Sequence, residues 1–318
     1  MKLNAFNKIS SNIPIAYSAP LRTWISRSLE KATNIQWRHP KLRFFEAASI
    51  ESVQGGLAYL KFKRTTALAR KGQIVVVPND DYMPKRVELF GYWDKKLSRF
   101  LATAVNNNTA LLDLGAHCGL VSLQTFNASF VPKIYMVEPK KINLTALRKN
   151  LGEIGTLCKI KIVDAAVSDK KSKTGKLYTE PGATMNSSIN RVLPSLSKNS
   201  ETIEEKINTI YATQLCKNFL AWIGDSEIVL KSDLQGMDVI VLSKFSDIFW
   251  RKVLVGSIEI CSLNYGGLKE INLLISKLKF FEHIFIDYDL TEEITFNELS
   301  RFYLANSGMG MNIYFKRK

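Results

Sequence analysis

The chain has 318 residues, 46% of them hydrophobic and 23% charged, which excludes a disordered polymer and allows a full core without disulfide or metal staples. Four cysteines (Cys118, Cys158, Cys216, Cys261) stand far apart with no C-x-x-C spacing, so neither a zinc knuckle nor a disulfide framework is expected, and the setting reads as reducing and cytoplasmic. Lys and Arg number 44 against 29 Asp and Glu, a net charge of +15. Residues 1–109 hold 18 against 7 and the remainder 26 against 22, an asymmetry that fits either a polyanionic neighbour upstream of the core motifs or a basic surface that only keeps the chain soluble.

No apolar run approaches the ~20 residues needed to cross a bilayer. The first 29 residues carry Lys2, Lys8, Arg22 and Arg27 and no acid, but they lack the unbroken apolar stretch of a secretory signal. The segment AYSAPLRTWISRSL (16–29) suits a helix packed on the rest of the chain or lying peripherally on a membrane. Pro14, Pro20 and Pro40 break residues 1 to about 50 into irregular and helical pieces. GLAYLKFKRT (56–65) and QIVVVPN (73–79) read as a short β-hairpin. Residues 1–75 are therefore assigned to a basic N-terminal extension and 76–318 to the main domain.

The spacing of WDKKLSRFLATAV (93–105) predicts a helix leading into the core. ALLDLG is a buried strand followed by a helix over 118–130. KIYMVEP is a second strand with a helix over INLTALRKNLGEI, and KIKIVDAAV is a third. Residues 168–210 read as a long polar stretch with one short strand at KLYTE, then a helix near 209–222. EIVLKSD, GSIEICS, HIFIDYD and MNIYFKRK are further strands. MDVIVLSKF, LKEINLLISKLKF and FNELSRFYLAN are the helices between them. Strands alternating with helices imply βαβ crossovers and a mainly parallel, doubly wound α/β sheet.

The sharpest motif is Asp113-Leu114-Gly115-Ala116-His117-Cys118-Gly119, placed between a strand and a helix. Gly115 permits a tight turn, and Gly119 lets a helix start close to a ligand. The spacing D-x-G-x-x-x-G differs from the G-x-G-x-x-G that cradles a pyrophosphate, which disfavours a dehydrogenase. It suits S-adenosylmethionine, whose cationic amino end Asp113 would meet directly or through water. Glu138 ends the next strand, 25 residues on, where a carboxylate reaches ribose hydroxyls from the adjacent strand. Asp164 ends the third strand beside Ala165 and Ala166, a place for the adenine amine and ring. Lys231, Asp233 and Gln235 stand at the tip of the fourth strand, where open α/β sheets put their chemistry. Asp233 there either faces the reacting groups, caps the following helix, or does both.

Together DLGAHCG (113–119), VEP (137–139), AVSD (166–169) and KSDLQGMD (231–238), with the lead-in ELFGYWDKKLSRFL (88–101), resemble the FkbM family of methyltransferases over roughly residues 75–262. The resemblance implies a Rossmann-like, doubly wound, seven-stranded class I methyltransferase sheet with its last strand antiparallel, carrying an N-terminal helical and β extension. It also implies S-adenosyl-L-methionine as cofactor and O-methylation of a hydroxyl, often on a sugar of a glycan, glycolipid or secondary metabolite. The chain departs from the family where Gln235 and Asp238 replace glutamates, leaving Asp233, Asp238 and Glu259 as the available acids. Asp113, Gly115, His117, Gly119, Glu138, Asp164 and Ala165 are expected at the cofactor. Asp233, Glu259 and Lys231 are expected at the chemistry, with Asp233 as base and Glu259 or His117, a residue that titrates near neutrality, as substitutes. No metal is expected, since His39, His117 and His283 offer few ligands. TMNSSIN (184–190) is placed to fold over the site and bind a sugar. The expected partners are a sugar- or hydroxyl-bearing acceptor and, through the basic extension, an anionic membrane surface or polyanionic glycan. Nucleic acid ranks behind these. The competing readings are an RNA ribose methyltransferase, which would use Lys231, Asp233 and Glu259, and a non-catalytic scaffold with the same fold.

Overall fold

β1 (Ala48–Gln54), β2 (Leu57–Phe62) and β3 (Ile74–Pro78) form an antiparallel sheet whose inner face carries Leu60, Phe62, Val75 and Val77. The computed structural model describes residues 46–152, 154–189, 202–260, 268–286, 293–305 and 311–317. The helical part of the expected extension, with residues 16–29, His39 and also Cys261, lies outside them. After β3 come α1 (Met83–Phe90) and α2 (Lys95–Ala102). A βαβ series follows: β4 (Thr109–Leu114), α3 (Leu120–Ala128), β5 (Lys133–Val137), α4 (Lys141–Leu151) and β6 (Lys159–Val163).

The stretch expected to be a long polar loop is mostly strand. β7 (Ala166–Ser168), β8 (Thr174–Glu180), β9 (Ala183–Ser188) and β10 (Ile203–Tyr211) make a second sheet of order β7-β10-β8-β9. Then come α5 (Ala212–Ile223), β11 (Glu227–Ser232), α6 (Asp238–Ser243), α7 (Asp247–Lys252), β12 (Val253–Ile260) and α8 (Leu268–Leu278). β13 (His283–Phe285), β14 (Glu293–Ile294), α9 (Phe296–Ala305) and β15 (Met311–Lys316) complete the order.

The main sheet runs β14-β13-β15-β12-β11-β4-β5-β6, eight strands where seven are expected, the extra one being the two-residue edge strand β14. From β6 to β12 all neighbours are parallel, and β15 enters antiparallel between β12 and β13. Every residue of β4 is buried, as a strand covered on both faces requires. Ala110, Leu112 and Leu114 pack toward α5, α6, α7 and α8. Leu111 packs on the other side toward α2, α3, α4 and the small sheet.

That packing moves the domain boundary. Residues 46–318 cluster as one compact unit, and the division expected at 75/76 would cut through β3. The Asn150 side chain on α4 shows how the small sheet is attached. Its Oδ1 accepts from Val76 N at 2.7 Å, and its Nδ2 donates to Val76 O at 2.7 Å and Cys118 O at 2.8 Å. One buried amide thus does for β3 what a neighbouring strand would do, and ties it to the loop after β4. No helix among the described residues is long and apolar enough to cross a membrane.

Candidate functional site

The tips of β4, β5, β11 and β12 open into a cleft whose lining is part polar, with Glu138, Asn143 and Asp233, and part apolar, with Ala165, Ala166 and Val167. Gly115, Glu138 and Lys231 line it, and so do Thr184 to Ile189. The segment expected to fold over the site therefore does so, as strand β9 and the residue after it.

The glycine turn is imposed by the backbone. Gly115 has φ 71°, and a β-carbon there would lie 1.9 Å from the Asp233 carbonyl oxygen. The tips of β4 and β11 are that close because the strands pair side by side, with Asp233 N donating to Leu114 O at 3.1 Å, and the turn is tied down by Lys231. Its Nζ donates to Gly115 O at 2.6 Å and Leu114 O at 3.2 Å and pairs with Asp113 Oδ1 at 3.2 Å. The ammonium thus donates to two carbonyls and is paired with a buried carboxylate inside the fold. Burial lowers the Lys231 pKa, but Asp113 and Asp233 outweigh it and hold the ammonium above the ordinary lysine range. Lys231 thus acts as a strut beneath the turn, not as the free catalytic group expected.

Asp113 is corrected in the same way. It is fully buried under Lys231, accepts from Ser122 Oγ at 2.6 Å, and is absent from the cleft wall. Gly119 also lies off the wall. A β-carbon there would meet Leu147 at an ordinary 3.5 Å, so its φ of 80° at the start of α3, and not clearance for a ligand, calls for glycine. Asp164 points outward beside Arg148, 4.0 Å away with both side chains about half exposed, whereas Ala165, Ala166 and Val167 do line the cleft.

Glu138 stands where expected, buried in the cleft wall. Oε1 accepts from Lys140 N at 3.0 Å and Asn143 Nδ2 at 3.0 Å, and Oε2 accepts from His117 N at 2.9 Å. Burial raises its pKa, and these three donors offset the rise only in part. His117 lines the cleft but does not titrate near neutrality. Burial, then Lys231 and Lys140, push its pKa down to about 3, so it is neutral at physiological pH. Its Nε2 lies 3.1 Å from Thr184 Oγ1, whose hydroxyl donates to Asp80 Oδ2 at 2.6 Å. That direction assigns the proton to Nε2 and leaves Nδ1 to accept from Cys118 Sγ at 3.3 Å. His117 is thus bonded to the β9 wall rather than free to act as a base.

Asp233 lines the cleft at the tip of β11. Gln235, a non-glycine residue at φ 49°, turns its amide back so that Nε2 donates to Asp233 Oδ1 at 2.8 Å and lies 3.5 Å from Glu259 Oε2. Burial raises the Glu259 pKa well above the carboxylate range, and Asp233 and Asp238 raise it further. Glu259 is thus pushed toward its protonated form, and it sits off the cleft wall. Asp238 is fully buried away from the cleft, accepting from Leu234 N at 2.9 Å and from the Ser232 hydroxyl. Burial, then Asp233, push its pKa up to about 7.

Asp80 and Asn143 are site residues that sequence reasoning missed. Asp80 gave no signal, because its role depends on β9 arriving 104 residues later. Asn143 did leave one: it is a polar residue on the buried face of α4, among Leu144, Ala146 and Leu147, and such a group needs a partner. Among the described residues no three His, Cys, Asp or Glu side chains are grouped to hold a metal.

The class that this geometry defines is an α/β protein with a cleft at the tips of its parallel strands. No family model and no curated protein matches the chain. Solved structures give faint likenesses. Methyltransferase FkbM from Methylobacillus flagellatus shares 12% identity over 73% of this chain and 52% of its own, with TM-score 0.35, so this chain spans about half its length. Precorrin-6y C5,15-methyltransferase from Geobacter metallireducens shares 11% over 70% of this chain and 87% of its own, with TM-score 0.34. Spermidine synthase from Thermotoga maritima shares 11% over 86% of this chain and 73% of its own, with TM-score 0.33. Likenesses at this level assign no reaction.

Proposed function

We propose that the chain is an S-adenosylmethionine-dependent methyltransferase acting on a hydroxyl, with a sugar of a glycan, glycolipid or secondary metabolite as acceptor. One observation carries the reading: Glu138, a buried carboxylate in the cleft wall at the tip of β5, held by three N–H donors beside the Gly115 turn. A carboxylate can only accept, and ribose hydroxyls are the donors that suit it. The rest of the cleft fits the same molecule. Ala165, Ala166 and Val167 offer an apolar wall for a purine, and Asp233 gives an acidic side facing a cation. The strand order supports the class I methyltransferase sheet, with β14 as an addition to it. From β6 the parallel strands come third, second, first, fourth and fifth in chain order, and β15 inserts reversed between β12 and β13.

When bound, the cofactor supplies an electrophilic methyl group on a cationic sulfur. The chain's own part is to hold the ribose through Glu138 and to aim Asp233 at the acceptor hydroxyl, whose proton Asp233 takes. Gln235 fixes the Asp233 carboxylate, and Glu259, off the cleft wall and pushed toward its protonated form, is not assigned as the base. Positioning at ~3–3.5 Å and this proton transfer are the main contributions expected of such a site. The RNA ribose reading has the net charge in its favour, but it needs a free Lys231, and the two carbonyls and the Asp113 carboxylate that hold its ammonium count against it. We assign the basic excess of residues 1–109 to contact with an anionic membrane surface or a polyanionic glycan.

Calorimetry with S-adenosylhomocysteine tests the cofactor, and a radiolabelled methyl donor offered with a panel of glycans and RNA tests the acceptor. Binding and label on a glycan hydroxyl are expected. Absence of binding overturns the reading, and label on RNA that weakens steeply with salt replaces it with the ribose alternative.

A further inference from the structure

The hydrogen bonds at Glu138 leave too few free acceptors for a diol. A carboxylate offers about four lone-pair sites, two per oxygen. Oε1 is filled by Lys140 N and Asn143 Nδ2, and Oε2 already takes His117 N. One site remains, on Oε2, and a ribose presents two adjacent hydroxyls. The second acceptor is at hand. Asn143 is only 2% exposed and lines the cleft, and its Oδ1 has no hydrogen-bond partner. The amide cannot be flipped to relieve this, because Glu138 accepts from its NH₂ group and a carbonyl oxygen in that place would face a carboxylate.

We propose that Asn143 is a cofactor-binding residue, and that Glu138 Oε2 and Asn143 Oδ1 each accept from one of the two ribose hydroxyls, forming a split clamp. The proposal rests on the S-adenosylmethionine reading and adds to it a residue outside every motif of the sequence. It gives the Asn143 amide on this helix face a role distinct from that of Asn150: one end orients Glu138, and the other is left for a donor that a ligand supplies.

The test is calorimetry with S-adenosylhomocysteine and its 2′-deoxy and 3′-deoxy analogues on the full chain. In the wild type each missing hydroxyl is expected to weaken binding about tenfold, the scale of one lost hydrogen bond to a buried acceptor. In Asn143→Leu, which keeps the volume without polar atoms, one deoxy analogue should bind within twofold of the parent while the other keeps its penalty. Asn143→Ala should give the same pattern, which separates the effect from crowding. Thermal unfolding of both variants confirms that they are folded. If both penalties persist in both variants, Asn143 is not part of the clamp. If the wild type binds the parent but ignores both hydroxyls, the ribose grip itself is wrong. If it does not bind the parent at all, the methyltransferase reading falls and this inference falls with it.

Discussion

Asp233 shares its corner of the cleft with a glutamine where the resembled family has a glutamate, and the surroundings explain the exchange. Glu259 and Asp238 are both driven toward protonation by burial and by Asp233. A carboxylate at 235 would add another negative charge within 3.5 Å of Glu259, whereas the amide donates to the carboxylates. Replacing the base itself should separate chemistry from binding. Asp233→Asn is expected to lower kcat by about 10² to 10⁴-fold, while the Kd of S-adenosylhomocysteine, by calorimetry, stays within about threefold. Gly115→Ala acts differently. Its β-carbon would fall on the Asp233 carbonyl and its φ is positive, so stability in urea denaturation should drop by ~3 kcal/mol or more. A stable alanine variant would mean that β4 and β11 do not approach so closely.

Among elements, β9 is the one on which access to the cleft turns. It is held to the site by the Asp80–Thr184–His117 chain and by Ser188 Oγ donating to Gln235 O at 3.1 Å. Thr184→Val keeps the shape and removes the central link, leaving His117 and Asp80 each short of a partner. The expected cost is ~1–3 kcal/mol, localised so that amide exchange over 183–188 accelerates while β4 stays protected. Equal protection of β9 in both proteins would show that the chain does not hold it. The second sheet, to which β9 belongs, was also the part of the fold least legible in the sequence. The main sheet announces itself, because β4, β5 and β11 bury both faces and read as continuous apolar runs. The second sheet covers only a small cluster of Ala166, Leu177 and Ile207 with Ile189 packed against it. In IEEKINTIY the alternation is carried by few apolar residues among charged ones, and a strand that faces solvent on one side and a thin core on the other looks polar. The site was legible to the same degree as its strands. Glu138 and Asp233 could be placed from strand ends, whereas the roles of Asp113, Lys231 and Asp164 depended on side-chain direction, which strand position does not determine.

At the scale of the whole molecule, the acids around β11 make stability depend on pH in a direction opposite to that of a protein held together by salt bridges. Asp238 has an ordinary pKa of 3.8 and one of about 7 in the fold. Between these values the folded state holds a proton that the unfolded state has released, so stability falls as pH rises from about 4 to 7 and levels off above. The slope integrates to a few kcal/mol, at about 1.4 kcal/mol per unit. Glu138 and Glu259, raised in the same direction, add to the trend. His117, pushed down to about 3, works the other way and adds stability as pH rises toward 6.5, so the Asp238 contribution is read not from the wild-type urea midpoint alone but from its difference from a variant across pH 4 to 8. Asp238→Asn removes the titrating group but keeps an acceptor for Leu234 N, so relative to the wild type it should gain stability from pH 4 to pH 8. If the variant keeps the wild-type slope, the burial of Asp238 beside Asp233 is not what makes this fold sensitive to pH.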